Sequence, residues 1–243
     1  MPEGPSIVLA KEATSQFIGK KVLSTGGNSK IDKERVLNKK VTDIRSWGKH
    51  LLICFSGFTL RIHFMLFGTY LVNMRKENEA RLSLEFVNGE LNLYACSIKI
   101  LEGSVDQYYD WSGDVMNDAW DRKKALAKLR GMPETMVCDA LLDQDIFAGV
   151  GNIIKNEVLY KLYIHPESLV GRIPPAKLRK LVDEARDYSF DFLRWKRNFE
   201  LKKHWLVHTR KDCLRCELPL TKKYLGNTRR RSFFCNNCQV LYI

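Results

Sequence analysis

Four cysteines near the end of the chain constrain its fold most. Cys213 and Cys216 form one CxxC pair, eighteen residues follow, and Cys235 and Cys238 form a second pair. This spacing is typical of two tight turns that present four thiolates tetrahedrally to one Zn²⁺. A redox dithiol is the alternative, but it needs only one CxxC pair. The spacing predicts a zinc ribbon with one structural Zn²⁺, because four thiolates leave no coordination position for water.

The other three cysteines, Cys54, Cys96 and Cys138, lie in apolar segments and are predicted to be core residues. An odd total of seven cysteines does not suggest a disulfide framework, and the N-terminus shows no basic-then-apolar export signal. No apolar run approaches the roughly 20 residues that span a bilayer. We therefore expect a cytoplasmic protein without a membrane partner.

The chain is strongly basic. Its 40 Lys and Arg exceed its 28 Asp and Glu by a formal charge of +12. Such an excess favours a polyanion, above all nucleic acid, although a solubility device or an acidic membrane surface would use it equally well. Near the end of the chain only Asp212 and Glu217 oppose the cations Lys202, Lys203, Arg210, Lys211, Arg215, Lys222, Lys223, Arg229, Arg230 and Arg231. The predicted ribbon is thus a basic module.

The first half of the chain predicts one helix followed by strands. From Ser6, apolar residues at helical spacing follow Pro5 and end near Gly19. The period then changes to two in LLICFSGFTLRIHF (51–64) and RLSLEFVNGELNLYACSIKIL (81–101), where Asn88-Gly89 predicts a tight hairpin. The simplest architecture for about the first 110 residues is a two-layer antiparallel β-sandwich.

The second half is helical before the ribbon. Three- and four-residue apolar spacing predicts helices in ETMVCDALLD (134–143), NIIKNEVLYKLY (152–163) and AKLRKLVDEARDYSFDFLRW (176–195). We therefore expect an α+β multidomain protein with a sandwich domain over 1–120, a helical domain over 121–204 and a zinc ribbon over 205–243.

A glycine-rich turn precedes the second of these helices. Gly149-Val150-Gly151-Asn152 would let the backbone approach a ligand closely, and amides at a helix N-terminus bind anions such as a DNA phosphate. A plain helix cap by Asn152 explains the same residues.

Three motifs together carry a family resemblance. MPEGP opens the chain, QDIFAGVGNIIKNEVL (144–159) lies in the middle, and the two CxxC pairs follow with Arg230 five residues before the third cysteine. In this order they resemble the formamidopyrimidine-DNA glycosylase and endonuclease VIII family of bifunctional DNA repair enzymes. The resemblance implies a β-sandwich, a helix-two-turn-helix element and a zinc ribbon, and a monomer acting on damaged double-stranded DNA, associated with the nucleoid in a bacterial cell.

The resemblance gives the opening residues a chemical role. Once Met1 is removed, Pro2 carries a secondary α-amine that can attack C1′ of the damaged nucleotide and form an iminium. Glu3 would be the acid and base. If Met1 is retained, Pro2 is an amide and cannot attack. The family also has a second glutamate where this chain has Ser6, so any contact made by that carboxylate is lost.

Further site residues follow from the resemblance. Lys49, expected in a strand, would contact phosphate and sugar and keep the pKa of the nearby amine low. Arg230 and Asn152 would hold the phosphates that flank the lesion, Glu157 would lie near the site, and His63 would lie near backbone phosphate unless it is a plain core histidine.

Met65, Leu66 and Phe67 bear on specificity. They lie where endonuclease VIII places three consecutive residues that fill the void left by the flipped base, whereas purine-directed relatives distribute theirs over separate loops. This favours oxidised pyrimidines, although an ordinary buried strand would contain such a trio too. Two alternatives stay open: oxidised-purine specificity in the same family, and a catalytically silent module that binds damaged DNA. A pure zinc-ribbon transcription factor would not need the sandwich.

Overall fold

A computed structural model describes residues 2–243 and divides the chain into two compact units, Met1–Asp110 and Trp111–Ile243. The predicted α+β fold is confirmed, with an N-terminal helix, antiparallel sheets, a helical region and a cysteine-bearing hairpin. Division into three domains, with boundaries at 120 and 204, stays a prediction. Within the described residues, no helix is long and apolar enough to cross a membrane.

The first unit begins with helix α1 (Gly4–Thr14), which is extended by a 3₁₀ turn (Ser15–Phe17). The helix starts two residues before the predicted Ser6 because Pro5 fits its first turn, where a backbone N–H has no helical partner. Gly19 follows at φ +80°, a left-handed conformation that suits glycine. Phe17 is fully buried and stacks on Phe86, with ring centroids 4.3 Å apart.

Two four-stranded antiparallel sheets follow the helix and confirm the predicted sandwich. The strands are β1 (Ser24–Gly26), β2 (Asp43–Trp47), β3 (His50–Phe55), β4 (Phe58–His63), β5 (Thr69–Val72), β6 (Leu82–Phe86), β7 (Gly89–Tyr94) and β8 (Ser97–Glu102). One sheet has the order β1-β6-β7-β5 and the other β2-β3-β4-β8. Both sheets contribute alternate apolar residues to one core, which also takes the buried face of α1.

The hairpin expected at Asn88-Gly89 is present, one residue earlier than the motif suggested. Phe86 pairs with Gly89, so the loop residues are Val87 and Asn88. The buried residues of β6 alternate, as the period of two predicted, whereas five consecutive residues of β3 are buried.

The second unit contains helices α2 (Arg122–Arg130), α3 (Val137–Ala140), α4 (Asn152–Lys161) and α5 (Pro175–Arg197), then strands β9 (Thr221–Leu225) and β10 (Arg230–Phe234). Of the helix predicted over 134–143, only the four residues of α3 are helical. The core of this unit takes residues from all four helices, with the largest share from α5, and Leu225 and Phe234 from the hairpin belong to the same cluster. Packing against α4 therefore orients the hairpin within this unit.

Candidate active site and nucleic-acid interface

The start of the chain is held by the first turn of α1. Glu3 is extended, at φ −112° and ψ 172°, and its carbonyl oxygen accepts hydrogen bonds from the amides of Ser6 (2.8 Å) and Ile7 (3.3 Å). Its side chain is 1% exposed, whereas Pro2 is half-buried. The chain end thus places a buried carboxyl group directly after an accessible proline. The removal of Met1 lies outside the described residues.

Lys49 lies in a turn, and its expected place in a strand was wrong. Trp47 pairs with His50, so Gly48 and Lys49 form the two-residue loop between β2 and β3. Gly48 has φ +51°, a conformation that glycine adopts without strain and that closes this tight loop. Lys49 is half-buried at the end of the sheet.

The charge of Lys49 acts on two histidines at this end of the sheet. Burial, followed by the charges of Arg61, His63 and Lys49, lowers the pKa of His50 to about 4. Burial and the charges of Lys49 and Arg61 also lower the pKa of His63. Both imidazoles are therefore neutral at pH 7, and the local positive charge comes from Lys49 and Arg61.

His63 is half-buried and has a local structural contact. Its Nδ1 accepts a hydrogen bond from the amide of Met65 (3.2 Å), and its ring lies 5.5 Å from that of His50 in an edge-to-face arrangement. A contact between His63 and DNA phosphate stays a prediction.

Met65, Leu66 and Phe67, called here the 65–67 loop, are exposed. Their exposed fractions are 52%, 51% and 86%, so the alternative of a buried strand was wrong. The flanking residues close the loop, because the amide of Gly68 donates to the carbonyl oxygen of Phe64 (2.7 Å). A Cβ on Gly68 would lie 2.0 Å from that oxygen, so only glycine fits there. The loop projects three apolar side chains into solvent.

Asn152 does not cap its helix. The N-cap of α4 is Gly151, and Asn152 is the first helical residue. Its Nδ2 instead donates to the carbonyl oxygen of Arg231 in β10 (2.8 Å). Gly149 has φ +101°, which forms the turn before the helix. The alternative of a simple cap was therefore wrong, and Asn152 joins the helix to the arginine-bearing hairpin.

Glu157 is fully buried on α4. Its carboxylate accepts hydrogen bonds from the amides of Leu206 (2.7 Å), Val207 (3.1 Å) and His208 (2.8 Å). Burial raises the pKa of this carboxyl group, while the three amides favour its charged form. Glu157 thus fixes the segment that leads from α5 to the first CxxC pair.

The four cysteines of the two CxxC pairs converge at the base of the β9–β10 hairpin. Their Sγ atoms all lie within 4.8 Å of one another, including Cys213 to Cys238 at 3.8 Å and Cys216 to Cys235 at 3.5 Å. Thiolates that bind one zinc at about 2.3 Å stand about 3.8 Å apart in a tetrahedron. The four residues therefore fit one metal ion, and the thiolate set suits zinc.

The tip of the hairpin, residues 226–231, is called here the arginine turn. Arg229, Arg230 and Arg231 are exposed. Arg231 donates to the hydroxyl of Tyr224 (2.9 Å). Over residues 2–243 no hydrogen bond or ion pair engages the guanidinium of Arg230. The same holds for Arg229, so within the described residues the turn presents the guanidinium donors of both Arg229 and Arg230 to solvent.

Sequence reasoning missed the polar contacts that hold this turn. Lys155 is 1% exposed, and its Nζ donates to Ser232 Oγ (2.8 Å). The Nδ2 of Asn156 lies 3.5 Å from the carbonyl oxygen of Arg231. Asn152, Lys155 and Asn156 share one helical face by their spacing of three and four residues, and this polar stripe was the available signal.

The comparisons with known proteins agree with this architecture. A family model for the formamidopyrimidine-DNA glycosylase N-terminal domain matches residues 1–96, and one for the formamidopyrimidine-DNA glycosylase H2TH domain matches residues 114–188. Endonuclease 8-like 3 of Mus musculus is 32% identical over 206 residues, covering 81% of this chain and 34% of that protein. Endonuclease 8 2 of Mycobacterium bovis is 28% identical over 217 residues, covering 82% and 83%. The chain spans about a third to two fifths of the length of its Endonuclease 8-like 3 relatives.

Solved structures share the fold. Lactococcus lactis formamidopyrimidine-DNA glycosylase, bound non-covalently to DNA that contains an AP site, matches with a TM-score of 0.85 at 21% identity, covering 98% of this chain and 99% of that chain. A viral DNA glycosylase matches with a TM-score of 0.84 at 20% identity, covering 98% and 100%.

Sandwich, H2TH domain and cysteine hairpin follow one another as in the DNA glycosylases of DNA repair. The chain belongs to the formamidopyrimidine-DNA glycosylase and endonuclease VIII family, whose members are DNA glycosylases with AP lyase activity.

Proposed function

We propose that this chain is a bifunctional DNA glycosylase and AP lyase that excises oxidised pyrimidines and then cuts the strand. The observation that carries the proposal is the burial of Glu3, 1% exposed, directly after Pro2. Carboxyl groups are rarely buried unless they are paired or belong to a functional site. The carboxyl group of Glu3 lies one residue from the nitrogen that becomes terminal when Met1 is removed. Family membership supplies the class of reaction.

Pro2 is the nucleophile in this proposal. An α-amino group has a pKa of about 8, so an appreciable neutral fraction exists at pH 7. The nitrogen bonds to C1′ as the bond from C1′ to the base breaks, and the base leaves with the proton that the amine gives up. Glu3 then protonates the ring oxygen as the bond from C1′ to that oxygen breaks, which produces the iminium.

Strand cleavage follows from the iminium. Its positive charge takes up the electron pair left when the C2′ proton is removed, and elimination breaks the bond to the 3′ phosphate. A second elimination breaks the bond to the 5′ phosphate, and water hydrolyses the iminium to free Pro2. Lys49 would contact phosphate and sugar, and its charge would hold the pKa of the Pro2 amine low.

Damaged double-stranded DNA is the proposed partner, bound by a monomer. Arg230 offers its guanidinium to a phosphate, and Asn152, at the start of α4, would serve a neighbouring phosphate. Glu157 would lie near the site, and His63 would lie beside the DNA backbone. The solved Lactococcus lactis relatives are complexes with damaged DNA. The proposed place of action is the cytoplasm, on nucleoid DNA if the host is bacterial.

Zinc is the proposed cofactor. Cys213, Cys216, Cys235 and Cys238 would hold it, and its contribution is structural, since the ribbon has a small core of its own. With zinc bound, these four cysteines would keep β9 and β10 in register, so that the arginine turn has a fixed base.

The exposed 65–67 loop supports the choice of pyrimidines. Three adjacent apolar side chains can replace a flipped base in the stack, and burial of them against neighbouring bases is favourable. Purine specificity is the competing outcome. The Lactococcus lactis relative has been solved with both an oxidised pyrimidine and Fapy-dG in its DNA, so the shared fold favours neither.

Borohydride trapping tests the chemistry. Protein whose N-terminus has been checked by mass is mixed with a duplex containing 5-hydroxyuracil or with one containing 8-oxoguanine opposite cytosine. An adduct at residue 2 on the pyrimidine lesion supports the whole proposal. An adduct on the purine lesion alone overturns the specificity, and no adduct from protein that lacks Met1 but binds DNA favours a silent binding module. Pro2→Gly keeps a free amine and should retain far more activity than a blocked terminus.

Salt dependence tests the phosphate contact. Arg230→Ala should weaken binding and lower the slope of log K against log salt by about one counterion. Arg179→Ala, which removes an equal exposed charge from α5, is the control. An unchanged slope and rate in Arg230→Ala would remove Arg230 from the site.

A further inference from the structure

The arginine turn is held at its tip by a carboxylate from another element. Asp139, on α3, lies 88 residues from Asn227 in the sequence. Its Oδ2 accepts a hydrogen bond from the amide of Asn227 (2.7 Å), and its Oδ1 accepts from the amide (3.2 Å) and the hydroxyl (2.7 Å) of Thr228. The carboxylate of Asp139 thus accepts three hydrogen bonds from Asn227 and Thr228.

Gly226 makes this approach possible. It has φ +67°, and a Cβ at this position would lie 2.2 Å from Oδ2 and 2.4 Å from Oδ1 of Asp139. Any other residue would displace the carboxylate and strain the backbone. The donor set and the glycine are separate features of the sequence, and both serve the same contact.

The other side of Arg230 is held by α4. Asn152 donates to the carbonyl oxygen of Arg231 and Lys155 donates to Ser232 Oγ, as described above. Arg230 therefore stands between two anchored pairs of residues, 227–228 and 231–232. A two-stranded hairpin alone is marginally stable, so these anchors decide how well the direction of its tip is defined.

Electrostatic attraction to DNA does not explain the position of Asp139. A carboxylate close to a phosphate-binding arginine repels the phosphate and would weaken DNA binding. Asp139 can therefore favour DNA binding only by ordering the turn, because an arginine that is already in place loses less conformational entropy when it binds phosphate.

We infer that Asp139 is a positioning residue, which fixes the arginine turn so that Arg230 meets a DNA phosphate. The inference rests on the proposed function. Asp139 acts through Arg230, and its own oxygens are occupied by the turn.

Asp139→Asn in the full-length, zinc-loaded protein tests the sign of the effect. The amide keeps the shape but places an N–H₂ group against a backbone or hydroxyl donor. Positioning predicts roughly tenfold weaker binding to damaged duplex, whereas removal of a repulsive charge predicts tighter binding. Glu134→Gln removes an equal charge from an exposed site five residues earlier and serves as the control. Binding in Asp139→Asn that equals or exceeds that of Glu134→Gln overturns the inference.

A double-mutant cycle shows whether Asp139 acts through Arg230. In Arg230→Ala, the further change Asp139→Asn should have little effect on DNA affinity. Independent, additive losses would mean that Asp139 has a general structural role. In Asp139→Asn alone, KM should rise while kcat stays within about twofold, because a lost phosphate contact weakens binding of substrate and transition state equally. A misfolded fraction would instead lower kcat and leave KM unchanged.

Two further measurements keep the inference separate from its premise. Thr228→Val removes one of the three hydrogen bonds and should weaken binding in the same direction by a smaller factor, even if Asp139→Asn folds poorly. Amide hydrogen exchange at Asn227 and Thr228 should accelerate in Asp139→Asn without DNA. Unchanged exchange rejects the anchor itself, whereas wild-type protein that is never trapped on damaged DNA rejects the proposed function and leaves the anchor standing.

Discussion

Two exposed turns of this protein are shaped in opposite ways. The 65–67 loop is closed by neighbours in the sequence, through the bond from Gly68 to Phe64 and the bond from Met65 to His63. The arginine turn is held from 75 to 89 residues away, by side chains of α3 and α4. The first is closed by contacts among residues 63–68 alone. The second requires a folded helical region and a formed ribbon, so its geometry is more vulnerable to remote changes.

Loss of the proposed zinc should affect the two turns most unequally. A structural zinc contributes on the order of 10 kcal/mol to a ribbon of this kind. In Cys235→Ser, or on chelation, the arginine turn should therefore lose its order, and DNA binding should fall more than about a hundredfold. Amide hydrogen exchange should accelerate over 221–234 and stay unchanged over 58–72. Cys54→Ser, in the other unit, is the control and should leave the ribbon protected. Equal loss of protection in both turns would contradict the comparison.

Gly68→Ala tests the local closure. Because a Cβ would lie 2.0 Å from the carbonyl oxygen of Phe64, the loop must open, and the free energy of unfolding should fall by about 2–4 kcal/mol. At Gly57, with φ +86°, nothing lies within 4 Å of a Cβ, so Gly57→Ala should cost only about 1 kcal/mol. Denaturant titration measures both, and similar losses would show that the loop accommodates a side chain.

Acid should weaken the sheet end that carries the 65–67 loop. The pKa of His50 is lowered to about 4 by burial and by Arg61, His63 and Lys49, whereas the unfolded chain takes up the proton near 6.5. The unfolded state therefore binds more protons between these values. The contribution of His50 to the free energy of unfolding is fully present above about pH 6.5. It should fall by up to roughly 3 kcal/mol as the pH falls to 4.

Denaturation at stepped pH values measures this loss. His50→Gln cannot gain the proton, so most of the slope between pH 6.5 and 4 should disappear. An unchanged slope in that variant would assign the acid sensitivity to other groups.

Phe67→Ala should have the smallest effect on the fold and a clear one on function. The side chain is 86% exposed, so stability should change by less than about 0.5 kcal/mol. Loss of one stacking contact should lower excision from duplex DNA by roughly tenfold. Val87→Ala, at an exposed position in the β6–β7 hairpin of the same unit, should change neither quantity. An unaffected rate in Phe67→Ala would separate the loop from DNA.

The parts that sequence reasoning predicted well have local patterns. The sandwich follows from alternation in residues 51–64 and 81–101, and α4 and α5 follow from apolar spacing of three and four. The errors fall where a turn or a partner decides. Lys49 occupies a loop because Gly48 permits one, and Asn152 donates to a strand 79 residues away instead of capping its own helix. The roles of Pro2, Glu3 and Arg230 stay predictions.

The sequence by itself determined the set of four converging cysteines, the order of helix, strands, helices and hairpin, and the basic charge of the last segment, because each depends on residue types at short, regular spacing. Only the tertiary structure decided that Asp139 meets the tip of the arginine turn and that Glu157 binds the amides of 206–208. Those contacts join residues about 50 to 90 positions apart. No local pattern encodes them, because packing of the helices and the hairpin brings them together.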